Sequence, residues 1–153
     1  VAMRIHGATP EFIRELRALG YERLSSDDLV AMRIHGATPE FLKGMAAAGF
    51  GKVSADDAVA MRIHEVTPEF VRSLREMGYD HLSSDDAVSM RIHGVTPEFV
   101  RQIQALGFRD ASVDDLVSMR IHGVTTDFAR KMKARDPGVT VDELVSMRIH
   151  GRD

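Results

Sequence analysis

The sequence predicts an all-α protein: a right-handed α-solenoid of five helix-turn-helix repeats of about 29 residues, preceded by an N-terminal helical stub. Three observations carry that expectation. The heptapeptide Val-Ala/Ser-Met-Arg-Ile-His-Gly begins at Val1, Val30, Val59, Val88, Val117 and Val145, with Glu65 the one departure from its final glycine. Its starts are 29 residues apart, except the last, which follows after 28, and a fixed period of that size marks a repeat array. Each period also holds two apolar patterns of helical spacing, with no alternating strand pattern and no hairpin turn signal.

The first complete copy shows why each helix forms. Thr9-Pro10-Glu11 is a helix start: a hydroxyl N-cap, a proline at the first helical position and an acid near the positive end of the dipole. Phe12, Ile13, Leu16 and Leu19 then fall on one side of the wheel, and Arg14, Glu15, Arg17 and Ala18 on the other. Gly20 stands where a left-handed C′ residue belongs, with Tyr21 placed to pack back on the last turn. After Leu24, Ser25 is the N-cap of the second helix and Asp28 completes a Ser-x-x-Asp capping box. That helix runs to His35, Gly36 closes it, and Ala37 follows as the apolar contact, a place held later by Val66, Val95 and Val124. Within the heptapeptide, Met, Ile and Val are expected in the core, while His and Gly end the helix.

One hairpin cannot bury both its apolar faces, so copies must stack. The chain is therefore expected to be a single array over 1–153: a leftover second helix at 1–8, then hairpins at 9–36, 38–65, 67–94, 96–123 and 125–151. The last copy departs from the pattern. Thr126 replaces the proline, Arg135 the apolar residue at the Leu19 position, and Asp136-Pro137-Gly138 shortens the connector. With Arg130, Lys131 and Lys133 its first helix is strongly basic, which suits a polar end cap and, second, a docking surface.

Composition bounds the function. The chain of 153 residues is 44% hydrophobic and 28% charged, ordinary for a folded protein. A net charge of −3 gives no bulk electrostatic case for nucleic acid. Cysteine is absent, which removes disulfides, thiolate metal sites and cysteine nucleophiles. No apolar run approaches the ~20 residues of a membrane span. Because the chain opens at Val1 in mid-motif, a fragment of a longer protein is expected.

The histidines His6, His35, His64, His93, His122 and His150 first suggest metal. Equivalent residues of packed helices sit roughly 8–10 Å apart, however, too far to share an ion held at ~2.0–2.1 Å. A histidine in a last helical turn serves the free carbonyls there. No metal and no cofactor are expected, nor any catalytic residue: there is no serine triad, carboxylate pair or phosphate-binding glycine loop.

The arginines Arg33, Arg62, Arg91 and Arg120 fall on the apolar arc of the second helix. They are candidates for an inter-repeat ladder, with Glu11- or Asp27-type acids as partners, or for a row of guanidiniums binding carboxylates or phosphates. A second basic row, Arg14 to Arg130, lies three residues after acids and reads as surface pairing. If a repeat frame binds something, its variable exposed positions decide what. Those are Glu15, Ser73, Gln102 and Lys131 on the first helices, and Arg23, Lys52, His81 and Asp110 in the connectors. Neutral drift on a solvated surface accounts for them equally well.

The pattern Leu-Gly-Tyr-x-x-Leu-Ser-x-Asp-Asp-Leu-Val-x-Met-Arg-Ile-His-Gly, followed by Val-Thr-Pro-Glu-Phe, runs through the whole chain. It resembles repeats found beside bacterial membrane metallopeptidases of the beta-lactam-sensor (antirepressor) type. The resemblance implies an accessory, extracytoplasmic or periplasmic sensing segment; without it, a cytoplasmic location is the alternative. The peptidase's zinc-binding motif is absent, so no catalytic residue carries over. The expected function is a non-catalytic module binding a protein or peptide. A structural spacer or self-association array is the alternative, and a nucleic-acid-binding solenoid ranks below both.

Overall fold

A computed structural model describes residues 7–151 and divides the chain into two compact units, Val1–Val88 and Ser89–Asp153. Of the expected stub at 1–8, only Gly7 and Ala8 fall within the described residues. Among those residues there are ten α-helices, one π-helical turn and no strand. The first helices of the copies are α1 (Pro10–Ala18), α3 (Pro39–Met45), α5 (Pro68–Glu76), α7 (Pro97–Ala105) and α9 (Thr126–Arg135). The second helices are α2 (Ser26–His35), α4 (Ala55–Ile63), α6 (Ser84–Ile92), α8 (Val113–Ile121) and α10 (Val141–Ile149). The π turn, Ala46–Phe50, extends α3.

Local chemistry starts and stops these helices where the sequence places the signals. Thr9, Thr38, Thr67, Thr96 and Thr125 each accept the backbone N–H of the phenylalanine three residues on, at 3.1–3.2 Å. At Ser25 the capping box is reciprocal: Asp28 N–H donates to Ser25 Oγ at 3.0 Å, and Ser25 N–H to Asp28 Oδ2 at 2.9 Å. The exits are six-to-one closures. Tyr21 N–H reaches the Leu16 carbonyl at 3.0 Å across Gly20 (φ 88°), and Ala37 N–H reaches the Met32 carbonyl at 2.8 Å across Gly36 (φ 72°). Where the final glycine is missing, Glu65 takes the same left-handed turn at φ 56°.

The closest backbone packing joins like with like. Within the first unit α1 packs on α3, α3 on α5, and α2 on α4; within the second, α7 packs on α9 and α8 on α10. Their contacts are lined by Phe12, Leu16, Met32, Leu42, Met45, Met61 and Leu74 in the first unit, and by Ile103, Leu116, Met119, Met132 and Leu144 in the second, all buried. Each such side chain contributes about 1.5–3 kcal/mol on leaving water. The apolar residue after each second helix is buried as expected: Ala37, Val66 and Val95 are fully inaccessible and Val124 almost so.

One expectation for the motif fails. Its methionine is buried at Met32, Met61, Met90 and Met119 and half-buried at Met147, and its valine is only half-buried, but its isoleucine faces solvent: Ile34, Ile63, Ile92, Ile121 and Ile149 are 51–56% exposed. At ~100° per residue, Ile34 stands roughly 160° round the helix from Met32, beside Asp27 and Ala31. Hydrophobicity alone misplaced it.

Candidate functional site

Arg33, Arg62 and Arg120 are exposed at the C-terminal ends of α2, α4 and α8. Each guanidinium lies over the phenylalanine of its own copy's first helix: Arg33 over Phe12 at 5.3 Å, Arg62 over Phe41 at 5.1 Å and Arg120 over Phe99 at 5.2 Å from the ring centroid. Arg148 repeats the arrangement over Phe128 at 5.1 Å. The same arginines touch the copy before. A Cβ on Gly36 would meet Arg62 Nη2 at 3.3 Å, and one on Gly94 would meet Arg120 Nη2 at 3.3 Å. A ring thus replaces the acid expected opposite Arg33, Arg62 and Arg120, and the stem crosses the apolar arc to bring the charge to the surface. Arg91, the fourth candidate, is half-buried.

A second set of cations closes the first helices. Lys52 Nζ donates to the Gly20 carbonyl at 2.5 Å and lies 5.0 Å from the Tyr21 ring centroid. Arg75 Nη2 donates to the Gly49 carbonyl at 3.0 Å, leaving its buried Nε without a partner. Lys133 lies 4.5 Å from the Phe108 centroid. Tyr21 Oη meanwhile donates to the Val53 carbonyl at 2.7 Å, and burial raises its pKa above the usual 10.0 while that hydrogen bond opposes the shift. Lys52, a candidate for variable recognition, is therefore engaged with the preceding copy. No local pattern cues these contacts, since Lys52 sits in a connector and Arg75 and Lys133 on helices.

The other candidates are scattered. Glu15, Ser73 and Gln102 are half-buried, and Gln102 Nε2 donates to Glu98 Oε1 at 2.8 Å. Lys131, Arg23, His81 and Asp110 are exposed. The second basic row pairs as expected at Glu69–Arg72 (2.8 Å), Glu98–Arg101 (2.5 Å) and Asp127–Arg130. Two hollows beside the connectors share an aromatic ring with a lysine beside it, Tyr21 with Lys52 and Phe108 with Lys133, and differ in the rest of their lining. One of about 370 Å³ is lined by Tyr21, Glu22, Arg23 and Lys52, and one of about 350 Å³ by Asp110, Asp115, Lys133 and Asp142. Among the described residues no cluster of three or more His, Asp or Glu could hold a metal. His150 donates from Nδ1 to the Ser146 carbonyl at 2.8 Å.

What the copies do share on their surface is the outer face of the second helix. Asp56, Val59, Ala60 and Ile63 follow one another along α4 at helical spacing, and Asp114, Val117, Ser118 and Ile121 along α8. In every described copy the aspartate is exposed, the valine half-buried and the isoleucine exposed; the small residue is half-buried except at Ser146, which is exposed. Adjacent second helices run the same way within a unit. Arg62 at one C-terminus meets Gly36 at the other, and Tyr21, before α2, bonds Val53, before α4. On each second helix the exposed aspartate therefore stands in the first turn, the half-buried valine in the middle, and the exposed isoleucine in the last turn beside the arginine.

Comparison with known proteins finds no matching family model, and neither a curated protein nor a solved structure matches. Among the described residues, no helix is long and apolar enough to cross a membrane.

Proposed function

We propose that this chain is a non-catalytic repeat module whose second-helix face binds a protein partner. Its helices would stack as a right-handed α-solenoid of five copies, an architecture that presents one extended surface from many short units. The observation that carries the reading is the isoleucine. Ile34, Ile63, Ile92, Ile121 and Ile149 are half exposed, yet the residue is the same in every copy. Exposed positions in the connectors change freely, from Arg23 to Lys52, His81 and Asp110. Packing accounts for the constant methionine and the constant arginine; it gives no reason for a constant solvent-facing isoleucine, whereas binding does.

A photo-crosslinking residue placed at Ile63 in the cells that make the protein tests this. Protein adducts should form there and not at Glu40, on the first helix. Equal adduct yields at both positions would reject the face. The accessory, extracytoplasmic role implied by the peptidase-associated repeats remains part of this proposal, and fractionation of the same cells checks it.

A spacer is the second reading, supported by the cations that bind one copy to the next at Lys52–Gly20 and Arg75–Gly49. Nucleic-acid binding ranks last, because the best-placed guanidiniums already lie over rings.

A further inference from the structure

We infer that a hollow of about 240 Å³ between the end of α1 and α3 binds a small carboxylate with an apolar body. The site is separate from the second-helix face and does not depend on it. Its origin is one small residue. Arg17, Ala46, Arg75, Gln104 and Lys133 hold the same place in the five copies. In the third and fifth, that side chain lies on the helix end of the copy before: Arg75 Nη2 on the Gly49 carbonyl, and Lys133 over the Phe108 ring. In the second copy the place is held by Ala46, and the cation on Gly20 and Tyr21 comes instead from the connector, as Lys52. The room that a long side chain takes elsewhere is therefore open beside Ala46, an exposed residue at the start of the π turn.

Leu19, Tyr21, Leu42 and Ala46 give the hollow apolar walls, Lys43 and Lys52 line it as well, and among the described residues no acid does. Lys52 Nζ uses one of its three donors on the Gly20 carbonyl. Lys43 is exposed and makes no ion pair with Glu40, whereas Arg72, Arg101 and Arg130 at the same place pair with the acid three residues before. Two ammoniums with donors free beside an apolar wall match a carboxylate on an apolar body. Burial of the body supplies the affinity, and charge-assisted hydrogen bonds set the orientation. A phosphate has no apolar part to bury there, and a neutral ring leaves both ammoniums unanswered. Size limits the ligand too. An apolar cavity of about 150 Å³ already holds a benzene ring, so this hollow takes one ring and its acid.

Amide chemical shifts of the full chain titrated with phenylacetate test the inference. Shifts should saturate at the Leu19, Tyr21, Ala46 and Lys52 amides with a dissociation constant of about 1 mM, as suits a ligand of so few atoms. Acetate, the charge without the ring, should shift them no more than sodium chloride does. Phenylacetamide, the ring without the charge, should bind about fivefold more weakly than the acid. Lys43→Gln, at an exposed position, should weaken phenylacetate about two- to fivefold and leave phenylacetamide unchanged. Ala46→Arg, which puts the residue type of positions 17 and 75 into the hollow, should abolish the shifts from both ligands with the helical circular dichroism intact. Phenylacetate that shifts none of these amides at about 20 mM overturns the inference, as does equal affinity for acid and amide. Undiminished shifts in Ala46→Arg place the ligand elsewhere and overturn it too. Should that variant not fold, Lys43→Gln decides alone, and phenylacetate binding unchanged by it overturns the inference.

Discussion

The guanidinium of Arg62 rests on the ring of Phe41, 5.1 Å from its centroid, while its Nη2 comes to where a side chain on Gly36 would begin. One side chain thereby ties together both helices of its own copy and the end of the helix before it. Arg62→Ala should cost about 0.5–1 kcal/mol, the range for a cation–π contact at an exposed site. For a chain of this size that is a fall in melting temperature of about 1–4 °C, read by thermal denaturation. Arg62→Gln, which keeps part of the stem but not the charge, should fall between the two proteins.

Gly36 is coupled to that contact. Gly36→Ala places a side chain at φ 72°, costing about 1–2 kcal/mol, and pushes on Arg62 as well. In the Arg62→Ala background the second effect disappears. A double-mutant cycle by urea denaturation should therefore give a combined loss smaller than the sum of the single losses.

Neighbouring residues of the motif should behave in opposite ways. Met32 is fully buried, so Met32→Ala should cost about 2–5 kcal/mol. Ile34 is 56% exposed, so Ile34→Ser should change stability by about 0.5 kcal/mol or less. Equal losses by chemical denaturation would mean the isoleucine is packed after all.

These contrasts show what local sequence could and could not reveal. Thr9, Gly20, Ser25 and Asp28 act on residues within five positions of themselves, so their spacing states their roles. The arginine was recognisable as misplaced on an apolar arc, but its partner was not. Phe12 reads as core, and only the folded hairpin brings its ring under Arg33. Ile34 was legible and misread, because its angle from Met32 places it with the polar residues while its chemistry suggests burial. Lys52 on Gly20 joins residues of different copies, and no periodicity predicts which cation a helix end will recruit.

Tyr21 makes stability depend on alkaline pH. Burial raises its pKa in the folded state above the usual 10.0, so the folded protein holds the proton after the unfolded chain has released it. Its contribution is complete below pH 10 and declines as pH rises from there through the folded-state value. Tyr21→Phe should flatten that decline, and at neutral pH it should lose about 0.5–1.5 kcal/mol with the hydrogen bond to Val53. Denaturation midpoints for both proteins at neutral and alkaline pH check the two effects together.

Lys52→Ala removes a charge from a connector and, with it, the donor to the Gly20 carbonyl and the contact on Tyr21. A loss of about 1 kcal/mol is expected, against no measurable change for Arg23→Ala in the equivalent stretch of the first copy. Hydrogen exchange at the C-terminal turn of α1 should quicken in the first variant only.

The arginine contact also bears on how such a chain changes length. Each joint uses a phenylalanine and an arginine from one copy and a left-handed helix end from the copy before, a glycine everywhere except at Glu65, so a stretch one period long carries a complete set of parts. Wherever in the period a duplication or deletion breaks the chain, every surviving arginine still finds a ring and a helix end waiting. Copy number can therefore drift by recombination without a new core being designed, and the number of exposed isoleucines changes with it.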